Sequence, residues 1–109
     1  MTTLIQSFAA LSDETRLSIL EQLMQQGELP AGALAQGRGI TAPAISRHLK
    51  VLREAGLVRQ RAVGTKRYYS PDGGGLRLIA DWTISRRAFW ESGLDRLEAA
   101  IQQDEGWPG

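Results

Sequence analysis

Basic side chains that could bind a polyanion are concentrated in one stretch of this 109-residue sequence. Residues 38–67 contain eight lysines and arginines against the single acid Glu54, a net charge of +7. The rest of the chain contains five basic and eleven acidic residues, a net charge of −6. Guanidinium and ammonium groups donate hydrogen bonds to phosphate oxygens, and an arginine can also form two bonds to a guanine edge. This division of charge predicts that the middle of the chain contacts a nucleic acid.

Part of this charge falls on a predicted helix at about residues 41–55. Thr41 has the character of an N-cap, Pro43 is tolerated in the first turn, and Gly56 ends the helix. Ahead of it we expect a short helix that opens at Pro30, followed by a turn that contains glycine. The pattern therefore predicts two helices joined by a short turn.

The helix at 41–55 has an apolar face and a basic face. Ile45, Leu49 and Leu52 recur at i, i+4 and i+7 and should point into the core. The opposite face begins with small residues, which let a helix enter a groove of DNA, and becomes basic from Arg47 onward. The residues of this segment that we expect to contact DNA are Thr41, Ala42, Pro43, Ser46, Arg47, His48, Lys50 and Arg53.

After Gly56 the pattern alternates, which predicts a β-hairpin at about residues 57–70 with its turn around Gly64. The tip of this hairpin is basic and could reach a neighbouring phosphate or the minor groove of the same duplex. The hairpin residues expected to contact DNA are Arg61, Lys66 and Arg67. A basic hairpin directly after two helices joined by a short turn is a more specific signal than the hairpin alone.

Residues 46–58, with the sequence SRHLKVLREAGLV, resemble the signature of the ArsR-type winged helix-turn-helix repressors. The resemblance also includes residues 8–17 and 67–69, so that it extends from about residue 7 to residue 101. It implies a mostly α fold with a β-hairpin: a dimeric winged helix-turn-helix with five helices. It further implies a homodimer that binds an inverted-repeat operator in double-stranded DNA, usually as a repressor that a small-molecule inducer releases.

The resemblance places the dimer interface mainly on the first and last helices, and the apolar pattern agrees with this. The last helix, predicted at about residues 76–103, is on the order of 40 Å long, which is more than a small core requires. Trp82, Phe89 and Trp90 could line an inducer pocket between subunits, but we interpret them as dimer core. The expected interface residues are Leu4, Ile5, Phe8, Trp90, Leu94, Leu97 and Ile101.

The segments around the two predicted DNA-binding elements are also interpreted from local signals. A first helix should end at Leu11, and a second should begin after an N-cap at Ser12 and end at Gly27. The glycines at 73–75 should break the chain before the last helix. The apolar stripe of the second helix should consist of Leu17, Leu20, Leu23 and Met24.

The sequence offers few residues for metal binding or catalysis. It contains no cysteine and one histidine, His48, whereas a zinc site needs about four ligands. Metal-sensing proteins of the ArsR type use cysteines before the recognition helix, or histidines and acids on the last helix, and this sequence has neither set. Asp95 and Glu98 could form a carboxylate cluster with their symmetry mates, but we interpret them as exposed helix charge. We therefore expect a metal-free branch of the family with no cofactor and no catalytic residues.

Length and composition predict a single domain at 1–105, followed by a loose tail at 106–109. We expect a cytoplasmic protein without a membrane segment. Two other functions remain open at this point. One is a non-specific architectural or RNA-binding module, and the other is a protein-interaction module that does not bind nucleic acid.

Overall fold

The computed structural model describes residues 3–103, and the tail predicted at 106–109 lies outside them. The described residues belong to two compact units, one that ends at Ile79 and one that begins at Ala80. The single domain at 1–105 stays a prediction. No helix within residues 3–103 is long and apolar enough to cross a lipid bilayer. In chain order the elements are α1 (Leu4–Leu11), α2 (Glu14–Gln26), β1 (Leu29–Pro30), α3 (Ala31–Ala35), α4 (Ala42–Glu54), β2 (Val58–Val63), β3 (Lys66–Pro71), α5 (Gly73–Ser85) and α6 (Arg87–Gln103).

The ends of the recognition helix agree with the sequence signals. The Thr41 side chain accepts a hydrogen bond from the backbone N–H of Ala44 at 3.2 Å, which confirms Thr41 as the N-cap of α4. Gly56 follows the C-cap with a φ of 71°, in the left-handed region that favours glycine. The predicted helix at about 41–55 is therefore confirmed as α4.

The predicted N-cap of the second helix is wrong by one residue. The extended backbone of Asp13 places its carboxylate to accept the N–H of Arg16 at 3.0 Å, so Asp13 caps α2. Ser12 has helical backbone angles and closes α1 instead, where its hydroxyl donates to the carbonyl of Ala9 at 2.6 Å. A side chain can cap a following helix only where the backbone has left the helical region.

The core lies in the unit that ends at Ile79, where α1, α2, α3, α4 and the sheet pack together. Ile45, Leu49 and Leu52 of α4 are buried, as predicted. On α2, however, Leu17 and Met24 are exposed, and the buried stripe is Ile19, Leu20 and Leu23. Two overlapping stripes at helical spacing were present in the sequence, and the packing of α1, α4 and β3 selects the one that includes Ile19.

The predicted hairpin is confirmed, and a third strand, β1, pairs with it to form a three-stranded sheet. β2 and β3 pair antiparallel around a two-residue turn, in which Gly64 has a φ of 61°. β1 pairs antiparallel with β3, so that Leu29 lies opposite Tyr69 and Pro30 opposite Tyr68. Pro30 therefore precedes α3 in extended backbone instead of occupying its first turn.

The single helix predicted at about 76–103 is two helices, α5 and α6, which gives six helices in residues 3–103 instead of five. The break is at Arg86, whose N–H bonds to the carbonyl three residues earlier, that of Thr83, at 3.2 Å. Ser85 and Arg86 side chains also donate to the carbonyl of Trp82. These bonds replace regular i to i−4 bonding at this point.

Of the three glycines at 73–75 that were expected to break the chain, only Gly75 lies where a side chain would clash. α5 begins at Gly73, so these glycines form its first turn. A Cβ on Gly75 would lie 2.5 Å from the carbonyl oxygen of Ala55 and 2.9 Å from Leu57 Cδ2, whereas one on Gly73 would meet nothing within 4 Å. The N–H of Gly75 also donates to the carbonyl of Gly56 at 2.7 Å. This close approach of backbones requires a residue without a side chain.

We expect Gly75→Ala to lower the free energy of unfolding by about 1–3 kcal/mol, because the added methyl group displaces the segment that follows α4. Gly73→Ala is the matched control and should leave stability unchanged or slightly raised, since alanine favours the helix. Urea denaturation of both variants measures the difference. Equal stability of the two variants would contradict the close approach at Gly75.

Candidate nucleic-acid interface

The exposed face of α4 contains most of the residues predicted to contact DNA. The apolar stripe of α4 is buried, Ala44 and His48 are partly buried, and the other residues of the helix are exposed. The predicted residues that the structure places on this exposed surface are Thr41, Ala42, Pro43, Ser46, Arg47, Lys50 and Arg53. The surface is small at the N-terminal end of α4 and basic toward its C-terminal end, which suits insertion into a major groove.

The basic residues of α4 differ in how strongly other side chains hold them. Lys50 Nζ lies 4.0 Å from an oxygen of Glu54, one turn away on an exposed face. Arg53 donates from Nη1 to Gln60 Oε1 on β2, which joins the end of α4 to the hairpin. No hydrogen bond or ion pair within residues 3–103 engages Arg47. Arg47 is therefore the α4 guanidinium whose donors are available to a guanine edge.

His48 is not part of the exposed face. Its side chain is 23% exposed, and Nδ1 lies 3.8 Å from Oδ2 of Asp13 at the start of α2. The N–H that Arg16 donates holds the pKa of Asp13 below its usual 3.8, and the charges of Arg16 and His48 lower this pKa further. The structure thus brings His48 together with α2, while the DNA contact expected of it stays a prediction.

The hairpin, which we call the wing (β2, β3 and their turn), holds Arg61 in an internal ion pair. Arg61 Nε and Nη2 donate to the two carboxylate oxygens of Glu28 at 3.0 and 2.5 Å. The guanidinium carbon of Arg61 also lies 5.5 Å from the ring centroid of Tyr68, its cross-strand partner. These hydrogen bonds lower the pKa of Glu28 and raise that of Arg61. The sequence analysis did not identify Glu28 as a partner, because it is 33 residues away from Arg61 and no local pattern connects the two.

Lys66 and Arg67 begin β3 beside the turn of the wing, and both are exposed. Within the described part of the chain, neither cation forms an ion pair or a side-chain hydrogen bond. With Pro30, Ala31 and Gly32 they line an open groove of about 390 Å³. The two side chains therefore offer free positive charge next to the helix-turn-helix, as the sequence predicted.

Arg38 belongs to the basic stretch of the sequence but has an internal role. Its guanidinium donates to the carbonyl of Leu34 at 2.6 Å, to Ser18 Oγ at 2.8 Å and to Gln22 Oε1 at 2.6 Å. These bonds join the end of α3 to α2. Arg59 is likewise occupied, since its Nη2 lies 3.6 Å from Asp72 Oδ1.

Within residues 3–103, histidine, cysteine, aspartate and glutamate side chains form no cluster of three or more that could hold a metal ion.

We expect Arg61→Ala to raise the pKa of Glu28 toward its usual 4.5, because the mutation removes both hydrogen bonds to the carboxylate. Since the pKa of Glu28 is lower in the folded than in the unfolded chain, the pair stabilises the fold above about pH 4.5, and this contribution is lost as the pH falls through the lowered pKa. A ¹³C NMR titration of the carboxyl groups measures the change. Arg59→Ala removes a neighbouring wing cation and should leave Glu28 almost unaffected; an equal shift in both variants would contradict the pairing.

Comparison with known proteins agrees with this geometry. A family described as a helix-turn-helix domain matches residues 11–61. The HTH-type transcriptional regulator Rv2034 of Mycobacterium tuberculosis is 45% identical over 73 residues, which are 67% of this chain and 67% of that protein. The transcriptional repressor SdpR of Bacillus subtilis is 35% identical over 78 residues, which are 72% of this chain and 86% of that protein.

A solved structure extends the likeness over nearly the whole chain. An ArsR-like transcriptional regulator from Rhodococcus sp. RHA1 is 36% identical, with a TM-score of 0.67 over 91% of this chain and 90% of that one. The chain therefore belongs to the ArsR-type family of winged helix-turn-helix proteins, and it is a DNA-binding regulator of transcription and not an enzyme.

Proposed function

We propose that this protein binds an inverted-repeat operator as a homodimer and represses transcription there. The observation that supports this most directly is the exposed face of α4, on which Arg47 has no partner within residues 3–103, next to a wing whose Lys66 and Arg67 are equally unpaired. The repressor role rests on the likeness to SdpR, which is a transcriptional repressor.

In this proposal α4 enters the major groove and the wing follows the neighbouring backbone. Arg47 forms two hydrogen bonds to a guanine edge, and Ser46 bonds a base or a phosphate oxygen. Lys50 and Arg53 lie further along the helix, where the phosphate backbone is closer. The remaining contacts are assigned to Thr41, Ala42, Pro43 and His48 on α4 and to Arg61, Lys66 and Arg67 on the wing.

Both compact units have exposed apolar side chains that a second subunit would cover. In the first unit Ile5 is 79% exposed, and Phe8 on the same helix is also exposed. In the second unit the exposed residues of α6 include Trp90, Leu94, Leu97 and Ile101. Large exposed apolar surfaces are uncommon on monomers and typical of subunit interfaces. We therefore assign α1, with Leu4, and both α5 and α6 to the dimer interface, and treat residues 1–105 as one functional domain.

The aromatic residues of the second unit are assigned to this interface and not to an inducer pocket. The ring centroids of Phe89 and Trp90 are 5.0 Å apart in an edge-to-face arrangement, and those of Trp82 and Trp90 are 6.2 Å apart. The rings therefore pack on one another, and Trp90 continues along α6 into the apolar row that includes Leu94. A packed aromatic cluster joined to an apolar row suits a subunit core better than a cavity.

We expect Leu94→Glu to dissociate the dimer, because the mutation places a charge at the centre of the proposed interface. Met24→Glu is the matched control: Met24 is 59% exposed and Leu94 is 61% exposed, but Met24 lies on α2 outside the interface. Sedimentation velocity at micromolar concentration should show a monomer for the first variant and a dimer for the second. A folded monomer for the unmutated protein would refute the proposed assembly.

A second experiment separates sequence reading from backbone binding. It uses a duplex enriched by the protein from a random pool, called the selected duplex, and a scrambled version of it. Arg47→Ala should cost about 1–3 kcal/mol on the selected duplex and less on the scrambled one, because a guanine contact is lost. Lys66→Ala should weaken both and reduce the slope of log K against log salt by about one, because a phosphate contact is lost.

Salt titrations of the affinity of both variants on both duplexes provide the measurement. Equal losses on the two duplexes for Arg47→Ala would show that Arg47 does not read the sequence. A changed preference between duplexes for Lys66→Ala would show that the wing does.

A further inference from the structure

One carboxylate oxygen at the junction of α1 and α2 lies close to two different helices. Oδ2 of Asp13 accepts the N–H of Arg16 at 3.0 Å and so caps α2. The same oxygen lies 3.8 Å from Nδ1 of His48, in the middle of α4. Asp13 therefore joins the start of α2 to the recognition helix through a single atom.

The other side of this junction is bound to α1. Arg16 Nε donates to the carbonyl of Ala10 at 2.6 Å and Nη2 to that of Ala9 at 3.4 Å, at the end of α1. The Ser12 hydroxyl donates to the same Ala9 carbonyl. The four carbonyls at a helix end lack partners within the helix, so these bonds fix the end of α1 to the first turn of α2. Residues 12–16 thus connect α1, α2 and α4.

The contact between Asp13 and His48 can fix the position of α4 in a way that the apolar core cannot. Ile45, Leu49 and Leu52 decide which face of α4 is buried, but apolar packing is non-directional and permits small shifts along or about the helix axis. When His48 is protonated, its attraction to the Asp13 carboxylate depends on distance, and the side chains of His48 and Asp13 are 23% and 37% exposed. At its far end α4 is joined to another element by the hydrogen bond from Arg53 to Gln60.

We infer that Asp13 is a positioning residue for DNA binding: it holds α4, through His48, in the orientation that sequence reading requires, and links that orientation to α1. This inference rests on the proposed function, in which α4 reads DNA and α1 lies in the dimer interface. Asp13 itself is not assigned a contact with DNA.

The test uses Asp13→Asn, because asparagine is as good an N-cap as aspartate but removes the charge that faces His48. Affinity for the selected duplex should fall roughly three- to tenfold, in the lower part of the range of coupling energies between contacting residues, with a smaller loss on the scrambled duplex. Thermal stability should change little. Glu14→Gln is the matched control, since it removes the same charge from the adjacent, exposed residue in the first turn of α2. Its affinity should stay equal to that of the unmutated protein or rise slightly, because a repulsive charge is lost.

A double-mutant cycle with His48→Gln tests whether the effect passes through His48. The double variant Asp13→Asn, His48→Gln should bind the selected duplex no more weakly than the weaker single variant. In the single variant His48→Gln, a ¹³C titration should show a raised pKa for Asp13, since the charge of His48 is one of the causes that lower it.

Three outcomes would overturn the inference: additive losses in the cycle, equal effects of Asp13→Asn and Glu14→Gln, or a loss of affinity matched by a loss of fold. Failure of the proposed function is distinguishable, because the unmutated protein would then show no preference for any selected duplex. If the unmutated protein has that preference and Asp13→Asn keeps it in full, the positioning role alone is wrong.

Discussion

Burial of the apolar stripe of α4 determines what the surface of this protein offers to DNA. Ile45, Leu49 and Leu52 are at most 2% exposed, and burial of such side chains contributes about 1.5–3 kcal/mol each. A rotation of α4 by one residue would turn the stripe out of the core and bury Ser46 or Lys50 in its place. The cost of exposing the stripe and burying a charge is larger than most polar contacts could offset. The basic face of α4 is therefore exposed because the apolar stripe on the opposite face has to be buried.

Polar side chains then connect the elements that apolar packing leaves adjustable. Arg38 binds α3 to α2, and Arg61 with Glu28 binds the wing to the segment before β1. Arginine serves well in both places, since its rigid fork can satisfy two or three acceptors at once. Each bond fixes an element next to α4 without occupying α4 itself. These bonds hold the surrounding elements in place, and within residues 3–103 the guanidinium of Arg47 stays unpaired.

Strong local patterns allowed much of the fold, and the exposed surface that holds most of the candidate site, to be predicted. The apolar period of α4, its Thr41 cap and the alternation around Gly64 are local signals, and the elements that they predict are confirmed. Non-local features could not be read in the same way. The predicted stripe of α2 was wrong at Leu17 and Met24, because Leu17 and Ile19 both recur at helical spacing with other apolar residues and only tertiary packing selects one of them. β1 has two residues, too few to produce a period.

The net charge of residues 38–67 overstates the number of basic side chains that are available to bind DNA phosphates. Of the eight basic residues at 38–67, Arg38 is engaged by internal carbonyl and side-chain oxygens, and Arg61 is paired with a carboxylate. A cation that is already neutralised by a carboxylate neutralises a phosphate less completely, so its contact with DNA releases fewer of the counterions condensed on the duplex. Arg47, Lys66 and Arg67 have no such partner within residues 3–103. The count of basic residues is therefore an upper bound on the electrostatic contribution to DNA binding. The internal ion pairs, which the sequence does not reveal, determine how far the actual contribution falls below that bound.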